Sequence, residues 1–154
     1  MNEDFCTLAI KFQKVGIIDK PLWFEIWVDD QKYYGEEVVD TDLKELSIQL
    51  SDSEEKERVL KFVMAGKTYD YTHVDDKGEV IADCSMDIKE ITLEDLDIKY
   101  VLTTKAEYRH AFNKPNAKPE DYNIYKEPLG CMGCNGEVTT KFATPAFIWL
   151  LENL

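Results

Sequence analysis

No apolar run in this chain approaches the roughly 20 residues that a membrane-crossing helix needs. Basic residues are also few: 18 Lys and Arg stand against 31 Asp and Glu, a formal net charge of −13. Affinity for nucleic acid comes from cations that neutralise phosphates. The balance therefore excludes nucleic acid as a partner, and an anionic membrane surface with it. Histidine is almost missing, with only His73 and His110, and neither stands in a metal or triad spacing. The chain has no P-loop, no dinucleotide-binding glycine motif and no G-x-S-x-G elbow. A protein that is not an enzyme is expected, although 31 acids leave a glycosidase-type carboxylate pair open. The four cysteines, Cys6, Cys84, Cys131 and Cys134, are unevenly placed. The opening MNEDFCTLAIKF carries acids where a secretory leader carries bases. No signal peptide is read there, and free thiols in a reducing compartment are expected.

What is present is a chain of 154 residues, 44% hydrophobic. That length suits one domain able to fold without a metal or a disulfide. Alternation of apolar and polar residues, the mark of a half-buried strand, recurs in short runs. Residues 5–12 place Leu8, Ile10 and Phe12 on one face. Residues 22–28, LWFEIWV, place Leu22, Phe24, Ile26 and Val28 on one face and Trp23, Glu25 and Trp27 on the other. Asp29 to Lys32 reads as a hairpin turn. Residues 44–50 point Leu46, Ile48 and Leu50 inward, and residues 59–64 do so with Leu60, Phe62 and Met64. Residues 51–58 read as a charged, solvated turn between them. From Met86 and Ile88 to Ile91 and Leu93 the alternation shifts by one residue, as a β-bulge would make it do.

Residues 103–130 change character. Pro115, Pro119 and Pro128 exclude a long regular element there, and Thr104 to Glu107 has the form of a capping box for a short helix. A last strand follows over 136–143. Thr144 and Pro145 suit the N-cap and first position of a helix that docks through Phe147, Leu150, Leu151 and Leu154. Many short strands without βαβ alternation predict an all-β protein, an antiparallel β-sandwich of jelly-roll type. Residues 1–102 form its core. Residues 103–154 add a long arm, the last strand and the short helix to the same domain.

Three groups of residues could carry function. Asp70, Asp75, Asp76 and Asp83, with Asp87 nearby, could supply oxygens to calcium, or they form a solvated loop and sheet edge. Cys131 and Cys134 form one C-x-x-C, half of a zinc site. Completing it would recruit Cys6 and Cys84, or His73 and His110. The alternative is a glycine-rich turn with incidental thiols. Trp23 and Trp27 on an otherwise polar face could stack a sugar or anchor a protein, or pack beneath the arm or the C-terminal helix. Tyr108, Phe112, Tyr122 and Tyr125 give the arm aromatic contacts of its own.

The succession KPLWFEIWVDDQ, then the loop at 69–80 with its Asp-Lys-Gly, then Asp83, Met86, Ile88 and Ile91 in the form D-x-x-V/M-x-I-x-x-I, resembles the small β-sandwich proteins of tailed phages, cyanophages especially. These are similar to calcium-dependent carbohydrate-binding modules of the xylan-binding type. The closing GCNGEVTTKFATPAFIWLLENL is similar to the phage proteins' final segment, with Val138 where an aromatic is common. The resemblance implies a non-enzymatic virion component, a capsid decoration or tail part assembled in the host cytoplasm. Its partners would be other virion proteins or further copies of itself. It also implies an alternative, a calcium-dependent module for a host surface glycan, with ligands in the 70–76 loop and at Asp83. A zinc-stabilised interaction domain is a third reading.

Overall fold

The computed structural model describes residues 4–112, 114, 116–126 and 129–154. In chain order the strands are β1 (Phe5–Gly16), β2 (Leu22–Val28), β3 (Gln31–Val38), β4 (Lys44–Ser51), β5 (Lys56–Ala65), β6 (His73–Val74), β7 (Val80–Ala82), β8 (Cys84–Leu93) and β9 (Leu96–Asp97). Helix α1 (Lys99–Thr103) follows. Then come β10 (Glu107–His110), β11 (Asn123–Tyr125), β12 (Cys131–Met132), β13 (Gly136–Thr144) and α2 (Ala146–Asn153). One sheet runs β12-β8-β1-β4 with β9 beside β8. A second runs β11-β10-β13-β5-β2-β3, and β6 and β7 form a separate two-stranded ribbon. The two large sheets are antiparallel, and they face each other across a single core. The expected all-β sandwich with a short C-terminal helix is the architecture observed.

The core follows from period-two alternation. Leu8, Ile10 and Phe12 of β1 are fully buried, as are Leu22, Phe24 and Ile26 of β2. The sheets meet where Phe12 packs 5.2 Å from Phe24, and Tyr34 closes edge-on against Phe12 at 4.9 Å. The bulge read between Ile88 and Ile91 is present. Lys11 pairs with Glu90 and Phe12 with Ile88, so Lys89 is the extra residue. It returns Ile88 and Ile91 to the same buried face.

Several local expectations are corrected. Residues 51–58 are not all solvated turn. β5 begins at Lys56, and Arg58 is buried, donating to Asp29 Oδ2 at 2.8 Å and to the Ser51 carbonyl at 2.7 Å. Thr104 ends α1 rather than opening a helix, and Glu107 already belongs to β10. The arm contributes strands: β10 pairs with β13 and β11 with β10. Pro119 opens a 3₁₀ turn, while Pro115 and Pro128 lie outside the described residues. Thr144 does not cap α2. Its hydroxyl donates to the Glu54 carbonyl, and Asp52 Oδ1 accepts from the Ala146 N–H at 2.6 Å.

The docking face of α2 also differs. Ala146, Trp149 and Leu150 are buried, while Phe147, Leu151 and Leu154 point outward. The helix sequence carries two apolar stripes at helical spacing. The larger ring decides between them, with Trp149 meeting Phe142 of β13 edge-on at 6.2 Å.

Candidate binding face

The six-stranded sheet turns one face to the core and leaves the other open. On β2 this open face carries Trp23, Glu25 and Trp27, all half-buried. Cross-strand pairing extends it in rows. One row runs Lys32, Trp27, Lys61, Thr139, Glu107 across β3, β2, β5, β13 and β10. The next runs Gly35, Glu25, Val63, Glu137, Arg109 and ends at the exposed Ile124 of β11. At about 4.8 Å per strand the first row spans roughly 19 Å.

Glu25 organises the centre. Its Oε2 accepts from the Trp23 indole at 2.6 Å and its Oε1 from the Trp27 indole at 2.7 Å. One carboxylate thereby fixes two rings four residues apart. Partial burial works to raise its pKa. The two indole donors, with Lys32 and Lys61 nearby, outweigh that and hold it below the usual glutamate value. The Lys61 ammonium sits 4.9 Å from the Trp27 ring centre and that of Lys32 5.8 Å, within cation–π range. Lys32 reaches Trp27 by lying across Gly35, where a Cβ would come within 3.1 Å of its stem. At the far side, Val59, Lys105, Glu107, Arg109, Thr139 and Lys141 border a hollow of about 310 Å³. Arg109 there pairs with Glu107 at 3.1 Å and approaches Glu137 at 3.9 Å.

Among the described residues, no arm or C-terminal helix side chain is bonded to the two tryptophans, whose partners are Glu25, Lys32 and Lys61. The other aromatics are elsewhere. Tyr108 is buried, donating to the Cys134 carbonyl at 2.5 Å and accepting from its N–H at 3.0 Å. His110, also buried, is stacked on Tyr125 at 4.4 Å and met edge-on by Tyr108 and Phe112. The expected contact role of Tyr108 gives way to a packing role. Phe112 remains exposed, and Tyr122 lines a separate hollow of about 130 Å³ with Lys114 and Asn135.

The calcium set is not assembled. Among the described residues no three His, Cys, Asp or Glu side chains are placed to hold a metal ion. Lysines and backbone donors already satisfy most of these carboxylates. Asp83 pairs with Lys67 at 2.7 Å, Asp70 with Lys20 and Thr68, and Asp87 with Lys89 at 2.7 Å. Asp75 Oδ1 caps its own turn, accepting from the Lys77 and Glu79 N–H groups at 2.9 Å, and Asp76 is exposed on it. The zinc set fails likewise. Cys6 and Cys84 pair near opposite ends of β1, about 30 Å apart at strand rise. Burial, with Asp52 beside it, pushes the Cys6 thiol up to about 12. Cys131 donates to Ser85 Oγ at 2.9 Å, and none of the four cysteines is in a disulfide.

Among the described residues no helix is long and apolar enough to cross a membrane. Comparison with protein-family models, with curated proteins and with solved structures finds no match for the chain. The role of Glu25 goes beyond what the residue types suggest. Its signal is the W-x-E-x-W spacing, which sets an acceptor between two indole donors on one strand face.

Proposed function

We propose that this chain is a non-enzymatic interaction domain, a structural or accessory component of a tailed-phage particle, that docks through the open face of its six-stranded sheet. The phage context rests on the sequence resemblance alone. The docking face rests on one observation: Trp23 and Trp27 are held in place by Glu25 on the outward face of the sheet. Large aromatic rings fixed before binding lose little further freedom on contact, which is why such residues dominate interface energetics. Lys32 and Lys61 flank Trp27 with cations, while Arg109 is answered by Glu107 and Glu137 and Lys141 by Glu57. A mixed polar, aromatic-rich protein surface suits it. The test is a protein inventory of gradient-purified particles of the phage encoding this chain, with wild-type and Trp27→Ala genes. The chain should be present at constant copy number per particle, and the variant should be depleted severalfold. Absence from washed particles would sink the proposal.

The same pair of rings favours a second reading, a glycan platform. The Cα atoms of Trp23 and Trp27 lie about 13 Å apart along the strand, but both indole N–H groups reach the one Glu25 carboxylate, so the rings converge on a platform suited to one or two sugar units. Because the acidic loop is already satisfied by its own lysines and N–H groups, this binding would be independent of calcium. A glycan-array signal lost in Trp27→Ala and unchanged by chelator would support it, and a blank array would remove it.

A further inference from the structure

We infer that the outward face of α2 is a self-association surface, pairing with the same face of a second copy about a two-fold axis. Helix α2 is apolar on both sides. Ala146, Trp149 and Leu150 anchor it to the sandwich, yet Phe147 is 71% exposed, Ile148 54%, Leu151 71% and Leu154 61%. At 100° per residue, Phe147, Leu151 and Leu154 fall within about 60° of one another, with Ile148 beside them. A helix apolar all round belongs in a buried setting, and among the described residues nothing covers the second stripe.

Self-complementarity and area favour a second copy as the occupant. Two bodies of net charge −13 repel, so they meet at lowest cost where charge is missing. The outward arc of α2 carries a single ionisable side chain, Glu152, at its margin. The stripe is also self-complementary. In an antiparallel pair Phe147 of one helix meets Leu154 of the other, and the two Leu151 side chains meet near the axis, as an isologous contact requires. The four exposed side chains of this stripe leave roughly 500 Å² uncovered per copy, within the range of the largest apolar patch on a typical monomer. Paired, they bury up to about 1,000 Å², the size of a weak, transient interface. A weak, reversible dimer follows. This surface is distinct from the tryptophan face, and the inference stands whether or not the docking proposal does.

Sedimentation velocity of the purified chain from about 5 to 200 μM, at low and at raised salt, tests it. The weight-average mass should rise from 17.9 kDa toward twice that value. The rise should begin at lower concentration in raised salt, because screening removes the repulsion and leaves the apolar contact. Leu151→Glu, at an exposed position, should keep the thermal melt and abolish the rise. Phe147→Lys serves as the second variant should Leu151→Glu fail to fold. Trp27→Ala should associate as the wild type does. A wild-type chain that stays monomeric at 200 μM overturns the inference, including one that binds neutral phosphatidylcholine vesicles instead. So does a dimer that survives both folded variants, or one that dissociates as salt is raised.

Discussion

The ammonium of Lys67 lies 2.7 Å from Oδ1 of Asp83, where a cation would have stood had the acidic loop been a metal site. Lys67 is buried and also donates to the carbonyls of Cys84 and Gly133 at 2.8 Å. Its backbone exchanges two hydrogen bonds with the Asn135 side chain. One lysine therefore ties the start of β8, the loop after β5 and the turn before β13. Lys67→Met keeps the buried stem and removes the charge, taking a donor from two carbonyls and the counter-charge from the Asp83 carboxylate. A loss of about 3 kcal/mol is expected, at the low end for a broken buried pair because Asp83 is partly exposed. Urea unfolding of the variant measures it.

Asp83 also sets an acid limit. Burial works to raise its pKa, but Lys67, the Cys84 N–H and the Thr72 hydroxyl hold it below the usual aspartate value. A depressed folded pKa means that the unfolded chain binds the proton first. The stabilisation is complete above the unfolded value of about 4 and is lost as pH falls through the lower folded value. Thermal melts from pH 7 to pH 3 should show a drop below about pH 4 that is smaller in Asp83→Asn.

Arg58 predicts a second large effect. Its guanidinium reaches Asp29 Oδ2, the Ser51 carbonyl and Thr144 Oγ1, while Asp29 Oδ1 accepts from the Val59 N–H at 2.9 Å. The β2–β3 turn, β4, β5 and the approach to α2 thus share one buried cation. Arg58→Ala should cost about 3–5 kcal/mol, and Arg58→Lys should recover little of it, because an ammonium cannot reproduce the fork. Denaturant midpoints of the two variants decide this.

The strands were legible wherever one face is buried, because alternation is forced by the pleat. Leu22 to Val28 and the shift at Lys89 are the clearest cases. Arg58 was not, since a charge within SDSEEKER looks solvated until a partner 29 residues away closes over it. The acidic loop misled for the converse reason. Asp70, Asp83 and Asp87 are close in sequence, but Lys20, Lys67 and Lys89 answer them one by one, and two of those lysines come from other segments. Short α2 is legible as a helix, but of its expected docking residues only Leu150 is buried while Phe147, Leu151 and Leu154 face outward, because both its stripes are apolar.

The β8–β9 hairpin offers a stabilising change. Glu94 and Asp95 both hold positive φ, at 49° and 64°, as a two-residue type I′ turn requires. Glutamate is poorly suited to that region, and Asn-Gly is the pair that adopts it most readily. Replacing Glu94→Asn and Asp95→Gly should raise stability by about 1 kcal/mol, read as a higher melting temperature with unchanged fold. A fall would show that one of these side chains holds a contact worth more than the strain.

Glu25 predicts how the tryptophan face itself behaves. Glu25→Gln retains one acceptor but turns a donor toward the other indole N–H, so one ring must move. Glu25→Ala frees both. Because all three side chains are only half-buried, the loss in stability should stay near 1–2 kcal/mol, with the sandwich intact by circular dichroism. Tryptophan emission should shift to the red as the rings gain solvent. Acid should mimic the mutation in the wild-type chain. The depressed Glu25 pKa keeps the carboxylate ionised through the range in which an unfolded glutamate protonates, about pH 4.3, so the clamp holds there and opens only as pH falls through the lower folded value. Emission followed against pH should therefore change below about pH 4 in the wild type and stay flat in Glu25→Ala. A wild-type spectrum that shifts between pH 5 and pH 7 would mean that some other group governs the two rings.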